Sequence, residues 1–297
     1  MISKLYRLCG LIRSEGLSGF GYLFPPIRPT AIVIGAQKAG TTALYRYLAR
    51  HPGIAPSKVK EIDFFNCDAR YARGLDFYHA HFPRGTPWNA GRMTLEVTPG
   101  YMAGAEKAAP RIYEYSPDIK LIALLRDPVA RAYSAWHHYR NNCRLRPGWF
   151  QRWHRRCSGP EAPSTFVTRT HQFGKSFKQD IEDELQAMEN GGVIEMPILR
   201  LGLYHEFLSH YLRLFDRGRI LILRSEEMSV DTAAELKKAE AFLGLKHHEW
   251  SREDTGPESV GGYEDPIPEG SEHLLRSFYR RHNEALFELL GLRFPWA

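Results

Sequence analysis

Four short runs of aliphatic residues recur along the chain, and each is followed by a turn. The runs cover residues 30–35, 93–97, 119–125 and 219–223. They lack polar alternation, and continuous apolar runs of this length are typical of strands covered on both faces. Helical segments separate these strands. The pattern therefore predicts an α/β fold with a central, mostly parallel sheet between two layers of helices.

Segments with helical period lie between these runs and after the last of them. These helices are predicted at residues 41–50, 129–142, 174–190, 203–215, 231–243 and 271–290. Residues 141–172 are rich in Arg, Trp and Pro and match no regular period. They are predicted to form a loop or an insertion near a site.

Prolines mark a boundary near the start of the chain. Residues 1–29 are predicted to be an N-terminal extension, and residues 30–297, which no linker divides, a single domain. Charged residues interrupt the apolar positions of the extension, which argues against a transmembrane helix or a cleavable signal. Its apolar stripe is expected to pack on the protein rather than on a membrane.

The composition is that of a globular protein with a modest basic excess. The chain has 297 residues, 43% hydrophobic and 25% charged, and a formal net charge of +6. Such a charge suits an anionic ligand, and the absence of like-charge blocks predicts no nucleic-acid partner. Cys9, Cys67, Cys143 and Cys157 have no metal-type spacing. They are expected to be free thiols in a cytoplasmic protein.

The turn after the first strand has the composition of a phosphate-binding loop. Glycines at 35 and 40 and Thr42 match the Walker A pattern, but Thr41 stands where that pattern has lysine. The lysine is instead Lys38, inside the loop. Glycines let the backbone wrap an anion, and the following helix offers unpaired N–H groups. The loop therefore predicts a P-loop-type, three-layer fold and a bound phosphate group.

A second anion contact is predicted at the end of the third strand. Arg126 ends that strand, and Ser134 lies about two helical turns further on. Ligands of open α/β sheets bind at the carboxyl ends of strands, where a guanidinium grips phosphate well. The alternative is that Arg126 pairs with Asp127 or another carboxylate.

The two segments AIVIGAQKAGTTALYRYLARHP and LRDPVARAYS resemble the sulfotransferase family, in particular the heparan sulfate N- and 3-O-sulfotransferases and their bacterial homologues. The resemblance implies 3'-phosphoadenosine-5'-phosphosulfate (PAPS) as sulfuryl donor. By this resemblance the 5'-phosphosulfate is bound by Lys38, Ala39, Gly40, Thr41 and Thr42. The 3'-phosphate is bound by Arg126 and Ser134. A late loop that closes over the nucleotide contains Gly262 and Tyr263.

The same resemblance implies that Glu61 is the general base, while Lys38 assists the leaving phosphate. The aromatic pair that follows Glu61 favours a dry pocket around its carboxylate, and the alternative is a solvated Glu61 beside Lys60. Two departures stand out. Val97 stands where these enzymes usually have a lysine, and Lys60 is a candidate to replace the charge of that lysine. Asn66 stands where these enzymes often have an aspartate. The segment 200–204 also resembles the family, with a role either in ligand contact or in packing.

The resulting hypothesis is metal-free, in-line transfer of a sulfuryl group to a hydroxyl or amine, on a carbohydrate or glycolipid acceptor. Two alternatives stay open. One is a P-loop kinase or NTPase, which would require a magnesium carboxylate such as Asp127. The other is a non-catalytic protein that binds a nucleotide or a glycan. The paired histidines lack a third ligand at a diagnostic spacing, so no metal site is expected.

Overall fold

A computed structural model describes residues 24–158, 166–256, 258 and 265–296. The apolar stripe of the N-terminal extension and the predicted closing loop at Gly262 and Tyr263 lie outside these residues. Among the helices described, none combines the length and apolar character that crossing a bilayer requires.

The four predicted strands are confirmed, and they form one parallel sheet in the order β2-β1-β3-β4. All residues of β1 and β2 are buried, as expected for strands covered on both faces. The strands are β1 Ala31–Gly35, β2 Leu95–Val97, β3 Lys120–Leu125 and β4 Ile220–Arg224.

Helices flank this sheet, and the helices predicted from the sequence are all present. They are α1 Thr41–Arg50, α2 Asp68–Tyr71, α3 Gly74–His79, α4 Gly100–Ala103, α5 Ala105–Tyr115, α6 Pro128–Leu145, α7 Trp149–Ser158, α8 Phe177–Glu189, α9 Tyr204–Leu212, α10 Ser225–Val230, α11 Thr232–Leu243 and α12 Glu269–Leu290. The P-loop-type α/β fold is therefore confirmed.

The prediction of irregular structure over residues 141–172 is wrong for its first half. The helix α6 continues to Leu145, and α7 follows after three residues. Aromatic side chains of α7 explain its position, because Phe150 is buried and Trp149 and Trp153 pack against the same core cluster. The arginines between these positions hid the amphipathic pattern from the sequence analysis.

The edge of the sheet beside β2 is covered by the chain that follows α1. Backbone N–H groups of Ala55, Ser57 and Glu61 donate to carbonyls of residues 93, 95 and 97, at 2.8, 3.0 and 2.9 Å. This segment therefore runs along β2 without forming a regular strand. It also carries Glu61 to the carboxyl end of the sheet.

Candidate active site

The phosphate-binding loop lies at the carboxyl edge of the sheet, between β1 and α1. Gly40 precedes α1 with φ 98°, a conformation that favours glycine. The Ala39 N–H donates to the Ala36 carbonyl at 3.2 Å and closes the turn. In the part of the chain that the structure describes, no side chain caps α1. Its first N–H groups, at Thr41 and Thr42, therefore remain available to an anion.

Lys38 lies inside the loop, among other charged groups. Burial lowers the pKa of its ammonium, and the cations of Arg126, Arg131 and Lys60 lower it further, whereas Glu61 raises it. Three cations close enough to act on one lysine create a strongly positive site. Such a site attracts the phosphate and sulfate groups that would compensate its charge.

Arg126 joins the loop to the end of β3. Its Nη1 donates to the Lys38 carbonyl at 3.2 Å, and its own carbonyl accepts from the Tyr204 hydroxyl at 2.8 Å. Among the described residues no carboxylate forms an ion pair with Arg126, so the pairing with Asp127 considered above is not observed. Ser134 is buried on the second turn of α6, 5% exposed.

The family-like segment at residues 200–204 is held from two sides by buried charges. Glu184 accepts the N–H groups of Ile198, Leu199 and Arg200 at 2.7, 2.9 and 2.9 Å. The fully buried guanidinium of Arg131 donates to the Ile198 carbonyl. This arrangement fixes the start of α9, from which Tyr204 reaches Arg126. The described contacts therefore give the segment a role in packing behind Arg126, the predicted phosphate contact.

One contact of the loop was missed by the sequence analysis. The Tyr139 hydroxyl, on the fourth turn of α6, donates to Gln37 Oε1 at 2.6 Å. Burial raises the pKa of Tyr139 to about 12, so it remains a donor. Helical period predicts that Tyr139 is buried, but which loop it contacts depends on how α6 docks.

Glu61 lies beside the loop, at the carboxyl end of β2. It has a positive φ of 66°, and its carboxylate forms an ion pair with Lys60. Its charge raises the pKa of Lys38, so the two candidate catalytic groups are electrostatic neighbours. The Glu61 side chain is 54% exposed. The expectation of a dry pocket is therefore wrong, because the aromatic pair Phe64 and Phe65 turns into the core instead.

A basic cavity of about 440 Å³ opens next to Glu61. Four cationic side chains line it, together with His81 and apolar groups. The lining residues are Val59, Lys60, Glu61, Ile62, Ala69, Arg70, Arg73, Phe77, His81 and Arg156. Arg156 comes from α7, which explains why that helix matters to the site. The cavity has the charge and the position to hold an anionic acceptor molecule beside the candidate base.

Strand β2 carries a second, fully buried carboxylate, that of Glu96. Glu96 accepts hydroxyl hydrogen bonds from Tyr78 at 2.5 Å, Tyr101 at 2.6 Å and Thr98 at 2.8 Å. Burial raises the pKa of Glu96 to about 7, although these bonds lower it. Glu96 has no exposed surface. It therefore holds three hydroxyl groups inside the core and is not accessible to an acceptor.

The departures from the family pattern have structural counterparts. Val97 is fully buried in β2 and contributes no charge, whereas Lys60 forms the ion pair with Glu61 and lowers the pKa of Lys38. Lys60 therefore supplies a positive charge beside Glu61 and Lys38, although Val97 does not. Asn66 donates to Asp63 Oδ1 at 3.3 Å, and burial raises the pKa of that aspartate.

His138 is a further group at this site. Burial and the nearby Lys38 charge lower the pKa of His138 to about 4, although Glu61 acts in the opposite direction. Its ring is therefore neutral at pH 7 and lies within electrostatic reach of both catalytic candidates. The sequence signal was only the His137–His138 pair, which does not identify the facing residues.

The geometry can be compared with known proteins at this point. A family model described as a sulfotransferase domain matches residues 28–257, which is well over half of the chain. The chain belongs to the sulfotransferase family. The protein is accordingly an enzyme of the sulfuryl-transferring class.

Relatives of this sulfotransferase act on heparan sulfate according to their names. It is 30% identical to human heparan sulfate glucosamine 3-O-sulfotransferase 6, over 90% of this chain and 73% of the relative. It is 29% identical to human bifunctional heparan sulfate N-deacetylase/N-sulfotransferase 3, over 88% of this chain and 30% of the relative. A sulfotransferase structure from Alicyclobacillus acidocaldarius aligns with TM-score 0.63 and 23% identity, over 90% and 97% of the two chains.

The sulfotransferase has no free carboxylate for magnesium at the position that an NTPase would use. Asp127 Oδ1 accepts the Val129 N–H at 2.8 Å as the cap of α6, and Oδ2 pairs with Arg276 at 2.9 Å. Both oxygens are therefore occupied in helix capping and ion pairing. This agrees with the family assignment and not with the kinase alternative.

Proposed function

We propose that this enzyme transfers the sulfuryl group of PAPS to a hydroxyl or amine of an acidic carbohydrate or glycolipid, with Glu61 as general base. One observation carries the proposal. Lys38 in the phosphate loop and Glu61 on the cavity wall act on each other electrostatically, so donor and acceptor groups would meet between them.

The residues around the loop fit the donor. The uncapped start of α1 and Gly40 suit its 5'-phosphosulfate, and Arg126 with Ser134 suits a second phosphate on the other side of the loop. When bound, the donor supplies the sulfuryl group and a phosphate leaving group. We expect Lys38 and the loop N–H groups to stabilise the charge that develops on the leaving oxygen.

Glu61 faces the acceptor side of this arrangement. In the proposed step it takes the proton from the acceptor hydroxyl or amine, while that atom forms its bond to sulfur and the bond from sulfur to the 5'-phosphate oxygen breaks. The products are a sulfated acceptor and adenosine 3',5'-bisphosphate. Positive side chains neutralise the donor, so we propose that no metal takes part.

The cavity favours an anionic acceptor. Lys60, Arg70, Arg73 and Arg156 outnumber the single carboxylate of Glu61 along its wall. Charged groups of this kind recognise carboxylates and sulfates, which acidic glycans carry. The names of the relatives support the same class of acceptor. The sequence also predicts that the protein has no nucleic-acid partner and that it is cytoplasmic, and both statements remain predictions.

A screen with radiolabelled PAPS tests the acceptor class. The panel contains acidic glycans, amino sugars, neutral glycans, glycolipids and small phenols. We expect incorporation into acidic glycans, with a raised KM in Arg73→Ala and unchanged affinity for adenosine 3',5'-bisphosphate. A clear preference for small phenols over every sugar would contradict the proposal.

A further inference from the structure

Two packed helices, α9 and α12, bring three potential metal ligands together. His205 and Glu206 lie at the start of α9, and His282 lies in α12, which packs against α9. One donor atom from each residue lies within 4.8 Å of the other two. His205 and Glu206 are adjacent, but His282 lies far along the chain, so no local spacing pattern reveals the group.

Both imidazoles have the properties of ligands. Burial lowers the pKa of His205, and burial, His205 and Arg281 lower the pKa of His282 to about 4. Both rings are therefore neutral at pH 7 and compete little with protons for a metal. The two ring centroids are 5.2 Å apart. His205 Nδ1 is buried without a hydrogen-bond partner among the described residues, which is unfavourable unless something binds it.

The third residue and the surroundings complete the donor set. Glu206 adds a negative charge to two neutral nitrogens. His282 Nε2 accepts a hydrogen bond from Arg281 Nε at 3.2 Å, so this nitrogen carries a lone pair rather than a proton. The Arg281 side chain is exposed and free to move aside. All three candidate ligands are half-buried, which leaves a path for an ion from solvent.

We propose that His205, Glu206 and His282 bind a zinc ion that joins α9 to α12. Two imidazoles and one carboxylate, with a fourth position open to water, are a donor set that zinc accepts. Tetrahedral bonds of about 2.1 Å require donor separations of about 3.4 Å. The donor atoms lie within 4.8 Å of one another, so binding would draw them together by at most about 1.4 Å.

The zinc would act on structure rather than on sulfuryl transfer. The residue before His205 is Tyr204, whose hydroxyl holds the Arg126 carbonyl at 2.8 Å. An ion at the start of α9 would therefore stabilise the support behind the phosphate contact. Zinc binding at this site does not depend on the proposed acceptor or on Glu61 as base, and it can be measured without any sulfation assay.

Titration of the untagged, chelator-treated protein with Zn²⁺ tests the site, with Mg²⁺ as control metal. We expect one tight zinc site per chain and a zinc-dependent rise in Tm. His205→Ala and His282→Ala should each weaken this site by roughly tenfold or more. His210→Ala is the matched control, because His210 lies in the same helix but contacts Arg213. Arg281→Ala should bind zinc more tightly, since its guanidinium competes for His282.

Equal zinc affinity in the wild type and in a His205→Ala/His282→Ala double variant would overturn the proposal, as would the lack of a tight site in the wild type. Glu206→Gln provides a second route where an alanine variant fails to fold. It preserves side-chain shape but removes the charge, so zinc affinity should fall while the Tm without zinc is unchanged. Unchanged zinc affinity in this variant would also count against the site.

Discussion

At the scale of single residues, unfavourable backbone conformations are concentrated at the active site. Four described residues other than glycine have positive φ, and three of them are Lys38, Glu61 and Asp63. Such conformations persist only where the surrounding structure imposes them, and they are frequent at functional sites. The fold therefore fixes the backbone conformation of Lys38 and Glu61 before any ligand binds.

Loss of the base and loss of the loop lysine should have different effects. Glu61→Gln is expected to leave donor affinity nearly intact while turnover falls by ~10²–10⁴. Lys38→Ala should weaken donor binding as well as turnover, since this lysine lies in the phosphate loop. Glu189→Gln, at an exposed position of α8, is the control. Wild-type turnover in Glu61→Gln would show that the base is another group.

The 3'-phosphate contact is testable by nucleotide binding alone. The enzyme should prefer adenosine 3',5'-bisphosphate over AMP by about ten- to a hundredfold, the contribution of one charge-assisted hydrogen bond. Arg126→Ala should remove most of this preference and leave AMP binding nearly unchanged. Isothermal titration of both nucleotides against both proteins measures the effect. Equal affinities in the wild type would contradict the assignment of Arg126.

At the scale of elements, the start of α6 links the nucleotide end of the sheet to the C-terminal helix. Asp127 caps α6 through the Val129 N–H and pairs with Arg276 of α12. The Asp127 N–H in turn donates to Glu226 of α10 at 2.7 Å. Three helices therefore converge on the residue next to Arg126, and they fix its position.

Two substitutions separate capping from ion pairing at this point. Asp127→Asn keeps a good cap and loses the charge, so we expect a small loss of stability. Asp127→Ala loses both, and the free energy of unfolding should fall further, by about 1 kcal/mol. Urea unfolding of the wild type and the two variants measures the order of their stabilities. The reverse order, or equal stability of all three proteins, would show that the cap contributes nothing.

The sequence predicts elements where burial is uniform and fails where it is mixed. The strand Lys120–Leu125 is predictable because nearly every position faces the core. The helix Trp149–Ser158 is not, since its arginines point outward between aromatic residues that pack inward. The loop and Arg126 are predictable from residue type and order. Contacts such as Tyr139 with Gln37 depend on docking between distant segments, which no local pattern encodes.

At the scale of the whole molecule, the buried carboxylate of Glu96 makes stability depend on pH. Burial raises its pKa from 4.5 to about 7. The folded protein therefore retains a proton that the unfolded chain has lost. A raised carboxyl pKa lowers stability as pH increases between these two values and has no further effect above the higher one.

Glu96→Gln should remove this dependence. The stability of the wild type relative to the variant is expected to decrease by roughly 3 kcal/mol as pH rises from about 5 to about 7, and then to level off. The comparison cancels the groups that both proteins share. Urea unfolding from about pH 5 to about pH 8 measures it. A constant difference between the two proteins would mean that Glu96 titrates normally.

The segment that carries Glu61 also covers the edge of the sheet. Its N–H groups occupy the carbonyls of β2, an edge strand that would otherwise be free to pair with another chain. Exposed strand edges promote self-association. The position of the proposed base and the protection of this edge therefore depend on the same backbone. Variants that detach this segment should lose activity and solubility together, whereas an inactive variant that stays monomeric in gel filtration has lost only the chemistry of its side chain.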